Sequence, residues 1–237
     1  MTCLMNDLKI LSGGAAQGLV DRLAPEFKAL TGANITGEFG AVGAMAVKLR
    51  DGAAVDVVIL TQAIVADLTR QGLVAEGTAS NVGQVETAVA IRSADPIVAV
   101  GDADQLRDAL LAADEIYLPD TKASTAGIHV AKVFEKLSIA ERIGPRVRMY
   151  PNGATAMRHL AASTAPRAIG CTQATEILNT PGIVLIGSLP PGYELATIYT
   201  AAITTRAADA RVAAQLIDLL IAPQHRDLRA AIGFKGF

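Results

Sequence analysis

The sequence predicts an α/β protein, and three observations carry that prediction. Strand-like and helix-like stretches alternate along almost all of the 237 residues. The first turns are rich in small residues and fall where a strand ends and a helix begins, which is the edge at which open parallel sheets bind ligands. Hydrophobic residues make up 51% of the chain, much of it alanine, a composition suited to helices packed closely on sheet. No internal repeat with a period of 20–50 residues appears.

The elements follow in order. Leu8, Ile10 and Leu11 read as a strand that runs into the small-residue loop Ser12-Gly13-Gly14-Ala15-Ala16. The next segment carries Leu19, Val20, Leu23, Phe27 and Leu30 at helical spacing and stops at Gly32. Pro25 lies inside it, so this helix is expected to bend or effectively to begin there. Ile35 to Phe39 reads as a strand, Gly40 to Gly43 as a second glycine turn, and Ala44 to Arg50 as a short helix. Val55 to Leu60 is an apolar run broken only by Asp56, as a buried parallel strand would be. Thr61 is placed to cap a helix closing at Gly72.

A change of section follows. Thr87 to Ile91 reads as a strand, 105–113 as a helix and Ile116 to Leu118 as a strand. Asp120 to Gly127 is small and polar, and Ser124 or Thr125 can cap the helix that runs through Leu137. Val147 to Tyr150, Ala168 to Thr172, Ile183 to Ile186 and Ile198 to Ile203 are further strands. Helices are expected at 154–162, after an Asn152-Gly153 turn, and at 207–221, stopped by Pro223.

A strand, a glycine turn and a helix leave backbone N–H groups free to point at a small anion. The first such loop holds no strong acid, base or metal ligand, so it reads as a place of binding rather than of chemistry. Thr61 and Gln62 follow a buried strand at the same sheet edge, and Thr172 and Gln173 follow the late strand. A net charge of −2 without a basic run excludes a nucleic-acid footprint. No run of about 18 apolar residues predicts a membrane span. Cys3 and Cys171 lack metal spacing and read as two free thiols, Cys171 as a small core hydrophobe. No metal cluster, Ser-His-Asp order or paired carboxylates at a turn is found, and no cofactor is implied. Arg92 could face an anion, whereas His225 reads as solvated. The N-terminal MTCLMNDLKI has no basic region, long apolar stretch or small-residue cleavage site. As written the chain reads as cytoplasmic; it would be periplasmic if a leader has been removed.

Four blocks of sequence carry a family resemblance. They are LKILSGGAAQGLVDRLAPEFKALTG, GEFGAVGAMAVKLRDGAAVDVVILT, STAGIHVAKVFEKL and IDLLIAPQHRDLRAAIGF, with AGI-x-x-AK and the late AP-Q…GF the most specific parts. Together they resemble the type II periplasmic binding proteins, and within them the molybdate-binding receptors of ABC transporters. The resemblance implies two α/β lobes, each a mostly parallel sheet flanked by helices, with a small anionic ligand clamped in the cleft between them. Residues 1–86 with 197–237 would build one lobe and 87–196 the other, and an ABC transporter permease would be the partner.

Carried over, the family's ligand contacts fall on Ser12, Gly13, Gly14 and Ala15, on Val42 and Gly43, and on Ser124 and Thr125. They continue at the Gly153 to Thr155 turn, with Thr155, and around Cys171, with Thr172 and Gln173; Thr61 joins them from its place at the sheet edge. The molybdate receptors offer serines on the first two turns and commonly a tyrosine late in the chain. Here Ala15, Val42 or Gly43, and Cys171 stand in those places. A polycarboxylate fits this donor set at least as well as molybdate or tungstate. The alternative is a cofactor-free isomerase of a small tricarboxylic acid, like aconitate isomerase, for which Glu38, His129, His159 and Cys171 are the candidate bases.

Overall fold

The computed structural model describes residues 7–236. The chain divides into two compact units, one built from the residues up to Gln84 together with those from Ile198 on, the other from Val85–Thr197.

In the first unit, β1 (Leu8–Gly13) pairs in parallel with β2 (Ile35–Gly40) on one side and β3 (Val57–Thr61) on the other. β9 (Ala196–Ile203) runs antiparallel to β3, with Val57 opposite Ile203. The helices are α1 (Gln17–Thr31), α2 (Val42–Arg50), α3 (Gln62–Arg70), α9 (Ala210–Ile221) and α10 (Arg226–Ala231). α1 buries Leu19, Val20, Leu23 and Phe27, as its apolar spacing predicts. Leu30 departs from that stripe and is 59% exposed. Helix α1 also neither begins nor ends at Pro25, which it carries in its interior from a start eight residues earlier at Gln17. The missing proline N–H is a local loss that the packing of the buried face outweighs.

Asp56, the one charge in the apolar run before β3, is a fully used buried carboxylate. It accepts from the Lys9 N–H at 2.7 Å and from the Ala208 N–H at 2.7 Å, so it ties β1 to the returning C-terminal segment. Arg229 is equally buried and donates to the carbonyls of Leu220 and Ala222 at the end of α9. His225, expected to be solvated, instead lies 3.1 Å from the Glu26 carboxylate with only 14% of its side chain exposed.

In the second unit, β5 (Glu115–Pro119) pairs in parallel with β6 (Val147–Tyr150) and with β7 (Ala168–Gln173). β4 (Ser80–Arg92) runs antiparallel to β7 and to β8 (Ile183–Ser188). Strand β4 begins seven residues before the predicted Thr87. Its helices are α4 (Ala103–Ala112), α5 (Thr125–Lys136), α6 (Ala140–Ile143), α7 (Gly153–Ala161) and α8 (Ala174–Leu178). One apolar cluster joins Val89, Leu106, Leu110, Ile116, Val130, Phe134 and Cys171. No helix among the described residues is long and apolar enough to cross a membrane.

Candidate functional site

The helix starts of the first unit lie at the carboxyl ends of adjacent parallel strands. Gly13 precedes the tight turn Gly14–Ala16 that leads into α1, Ala41 precedes α2, and Thr61 precedes α3. Strand order β2-β1-β3 makes these ends neighbours, and Gly13 is the ladder partner of Gly40. No side chain caps any of the three starts. Thr61 occupies the cap position expected of it but makes no side-chain cap bond. First-turn N–H groups have no intrahelical acceptor, so uncapped starts offer donors and the positive end of the helix dipole to an anion.

Close packing holds these turns in place. A Cβ on Gly13 would lie 2.8 Å from Val42 Cγ1 and 2.9 Å from Tyr199 Cε1. Only a glycine lets the first turn sit this close to the start of α2. Tyr199 is itself set edge-on against Phe234, with ring centroids 6.4 Å apart. Ser12, Gly13, Gly14, Ala15 and Val42 are buried, and Gly43 is half-buried. The Ser12 hydroxyl donates to the Gly13 carbonyl at 3.0 Å.

In the second unit the remaining candidates follow the carboxyl ends of the neighbouring parallel strands β5, β6 and β7. Ser124 caps α5, accepting from the Gly127 N–H at 3.5 Å, and Thr125 opens that helix half-buried. Asn152 caps α7, accepting from the Thr155 N–H at 2.8 Å, while the Thr155 hydroxyl accepts from Arg158. Thr172 and Gln173 end β7, both buried. Cys171 lies in the apolar cluster, and burial pushes its thiol up to about 12.

One residue here carries no sequence signal: Glu176. It is buried, and its Oε2 lies 2.5 Å from the Thr172 hydroxyl. Burial raises its carboxyl above the ordinary value, while hydrogen bonds from Thr172 and from the backbone N–H groups of Ala154, Gln173 and Gly153 oppose the rise. The sequence TQATE offers only a threonine four residues before a glutamate; the meeting with Gly153 depends on the packing of α7 against β7.

Other candidates are committed elsewhere. Arg92 forms a two-pronged pair with Asp95 and donates to the carbonyls of Ser163 and Pro166, so it is not presented to an anion. Glu38 is exposed and paired with Lys48. His129 Nε2 lies 2.7 Å from the Tyr193 carbonyl, and exposed His159 stacks on Tyr150 at 4.2 Å. Among the described residues no group of three or more His, Cys, Asp or Glu side chains could hold a metal ion. An apolar pocket of the second unit, lined by Ile91, Val98, Ala113, Ala168 and Ile169, lies at the amino ends of β5 and β7, away from these turns. Cys3, read as a free thiol, lies outside the described residues.

The chain is similar along nearly its full length to proteins of known structure. It superimposes on the periplasmic molybdate-binding protein of Azotobacter vinelandii with a TM-score of 0.79 at 19% identity, covering 98% of this chain and 100% of that one. A sulfate-binding protein from Mycobacterium tuberculosis matches with a TM-score of 0.73 at 16% identity, covering 97% and 86%. By sequence, an aconitate isomerase from a Pseudomonas species is 24% identical over 224 residues, 90% of this chain and 81% of that protein. These likenesses fix the fold as that of the type II periplasmic binding proteins. The bacterial extracellular solute-binding protein family matches residues 8–235, and the chain belongs to it.

Proposed function

We propose that this protein is a receptor for a small anion, delivering it to an ABC-type importer. The observation that carries the reading is the set of three adjacent, uncapped helix starts at Gly13, Ala41 and Thr61. Such starts bind negative charge without a lysine or arginine. The second unit has hydroxyl and amide groups of its own at the starts of α5 and α7 and at the end of β7, on Ser124, Thr125, Thr155, Thr172 and Gln173. Membership of an extracellular family, and neighbours named for molybdate and sulfate binding, support a receptor that works outside the cytoplasm.

The test is a thermal-shift panel of molybdate, tungstate and sulfate beside di- and tricarboxylates at equal ionic strength. A ligand present at 100 times its dissociation constant adds about 2.7 kcal/mol of stability. A shift with at least one class is expected; no shift with any of them overturns the reading. A second reading has one observation behind it, the similarity to an aconitate isomerase. If a tricarboxylate is the stabilising ligand, incubating it with the protein in deuterated water tests for exchange at the allylic carbon.

A further inference from the structure

Leu106 and Leu110 of α4 are fully buried and fill the core of the second unit. Toward its C-terminal end the same helix offers only short side chains, Ala109, Ala112 and Ala113, at the spacing of one helical face. Ile91 and Ile169, ladder partners on β4 and β7, lie across from them. The short alanines leave a cavity of about 250 Å³ between the helix end and these strands. Its outer wall is the extended stretch after β4, where Pro96 and Val98 line the cavity and Ile97 between them is 79% exposed. Every part of it lies within Val85–Thr197, so the cavity is complete in the second unit alone.

The rim carries one charge of each sign, and both are already answered. Asp95 takes hydrogen bonds from Arg92 at 2.8 and 2.9 Å. The same guanidinium donates to the carbonyls of Ser163 and Pro166, which ties the two sides of the rim together. Arg167 makes a two-pronged pair with Asp114 at 3.1 and 3.2 Å. Among the described residues, no unpartnered buried side-chain polar atom belongs to a residue lining the cavity. With its charges neutralised, the cavity attracts neither an anion nor a cation. Desolvating a ligand charge against apolar walls would have a cost that nothing here offsets.

We propose that this cavity is a second ligand site, which takes a neutral, apolar molecule of about eight carbon atoms. It lies at the opposite strand ends from the turns that follow β5 and β7, and it does not depend on the anion-binding reading. An apolar cavity of about 150 Å³ holds benzene, so this one has room for a ring carrying one or two methyl groups. The driving force is the removal of ligand and walls from water together. Paired strands hold the floor and Arg92 holds the rim, so the site is preformed and little order is lost on binding.

The experiment uses the full chain with methyl-labelled isoleucines and p-xylene as the probe, followed by NMR. The same titration is made with p-toluate and 4-methylbenzylammonium, which put a carboxylate or an ammonium group on the same ring. p-Xylene should shift the methyl resonances of Ile91 and Ile169 with a dissociation constant below about 1 mM, and both charged analogues should bind at least about tenfold more weakly. Ala109→Leu puts a larger side chain into the cavity and should weaken p-xylene binding at least about tenfold. If that variant does not fold, Ala112→Leu serves, because Ala112 lines the cavity from an exposed position. No shift at Ile91 and Ile169 in the wild type, or binding that survives in the folded leucine variant, would overturn the site. Charged analogues that bind as tightly as p-xylene would overturn its preference for a neutral ligand.

Discussion

Glu176 shows how a single side chain can carry information that no local pattern displays. Its folded-state carboxyl is raised by burial from an ordinary 4.5, so between those two values the folded chain binds a proton that the unfolded chain has released. Its contribution to stability is therefore complete below pH 4.5 and declines as the pH climbs toward the raised value. Urea unfolding followed across this interval should show a fall in stability for the wild type that Glu176→Gln lacks; parallel curves would mean that the acid keeps an ordinary affinity for its proton. Thr125 sits at the other end of the scale of legibility, since its place beside a helix cap follows from the sequence STAG. If its hydroxyl is a buried ligand donor, Thr125→Val should weaken binding by about 1–3 kcal/mol in calorimetry, with little change in melting temperature. Unchanged affinity would remove Thr125 from the site. The turns themselves were readable because small residues between an apolar run and a helical stripe have few structural alternatives. Whether their N–H groups are open was not readable, because the acceptor can come from anywhere in the chain, as Glu176 does for Gly153.

At the scale of elements, the strands and helices with a clean apolar period match the sequence reading, and the departures share a cause. Strand β4 starts at Ser80 although Ser-Asn-Val-Gly-Gln reads as turn chemistry. Before Thr87 only Val82 and Val85 are buried apolar side chains, three apart and so without the alternation of a strand, and ladder partners distant in sequence override the local preference. Helices α8 and α10, with five and six residues, are too short to show a period. Helix α9 starts at Ala210 rather than 207, and the reason is a cap: Asp209 accepts from the N–H groups of Arg211 at 2.9 Å and Val212 at 3.1 Å. Asp209→Ala should cost about 1 kcal/mol in urea unfolding, with Asp209→Asn close to neutral. Equal losses for the two variants would show that the charge, not the cap geometry, sets the helix start. The cap belongs to the element that buries Leu216 and Leu220 and follows the return strand β9.

At the scale of the whole molecule, the two units differ in how far apart in sequence their partners lie. The second unit is one continuous stretch, Val85–Thr197, whereas the first is assembled from both ends of the chain. Strand β3 must find β9, matching Val57 with Ile203 and Thr61 with Tyr199. Asp56 must also find the Ala208 N–H, and Gln84 must find Lys235. Closing loops of this length has an entropic cost that grows with separation and slows folding where contacts are non-local. A chain ending at Thr197 keeps the whole of the second unit but loses β9 after its first two residues, α9 and the Ala208 N–H that donates to Asp56. The polar groups so exposed at the edge of β3, and the apolar face that α9 covered on α1, leave the first unit without enough burial to offset its ordering entropy. Hydrogen exchange on this truncated chain should find protected amides in β5, β7 and α5 and rapid exchange in β1 and β3. Protection in β1 and β3 equal to that of the full chain would show that the amino-terminal segment folds without its distant partners. Loss of protection throughout would show that the second unit also depends on the first for its stability, the two folding as a single cooperative unit.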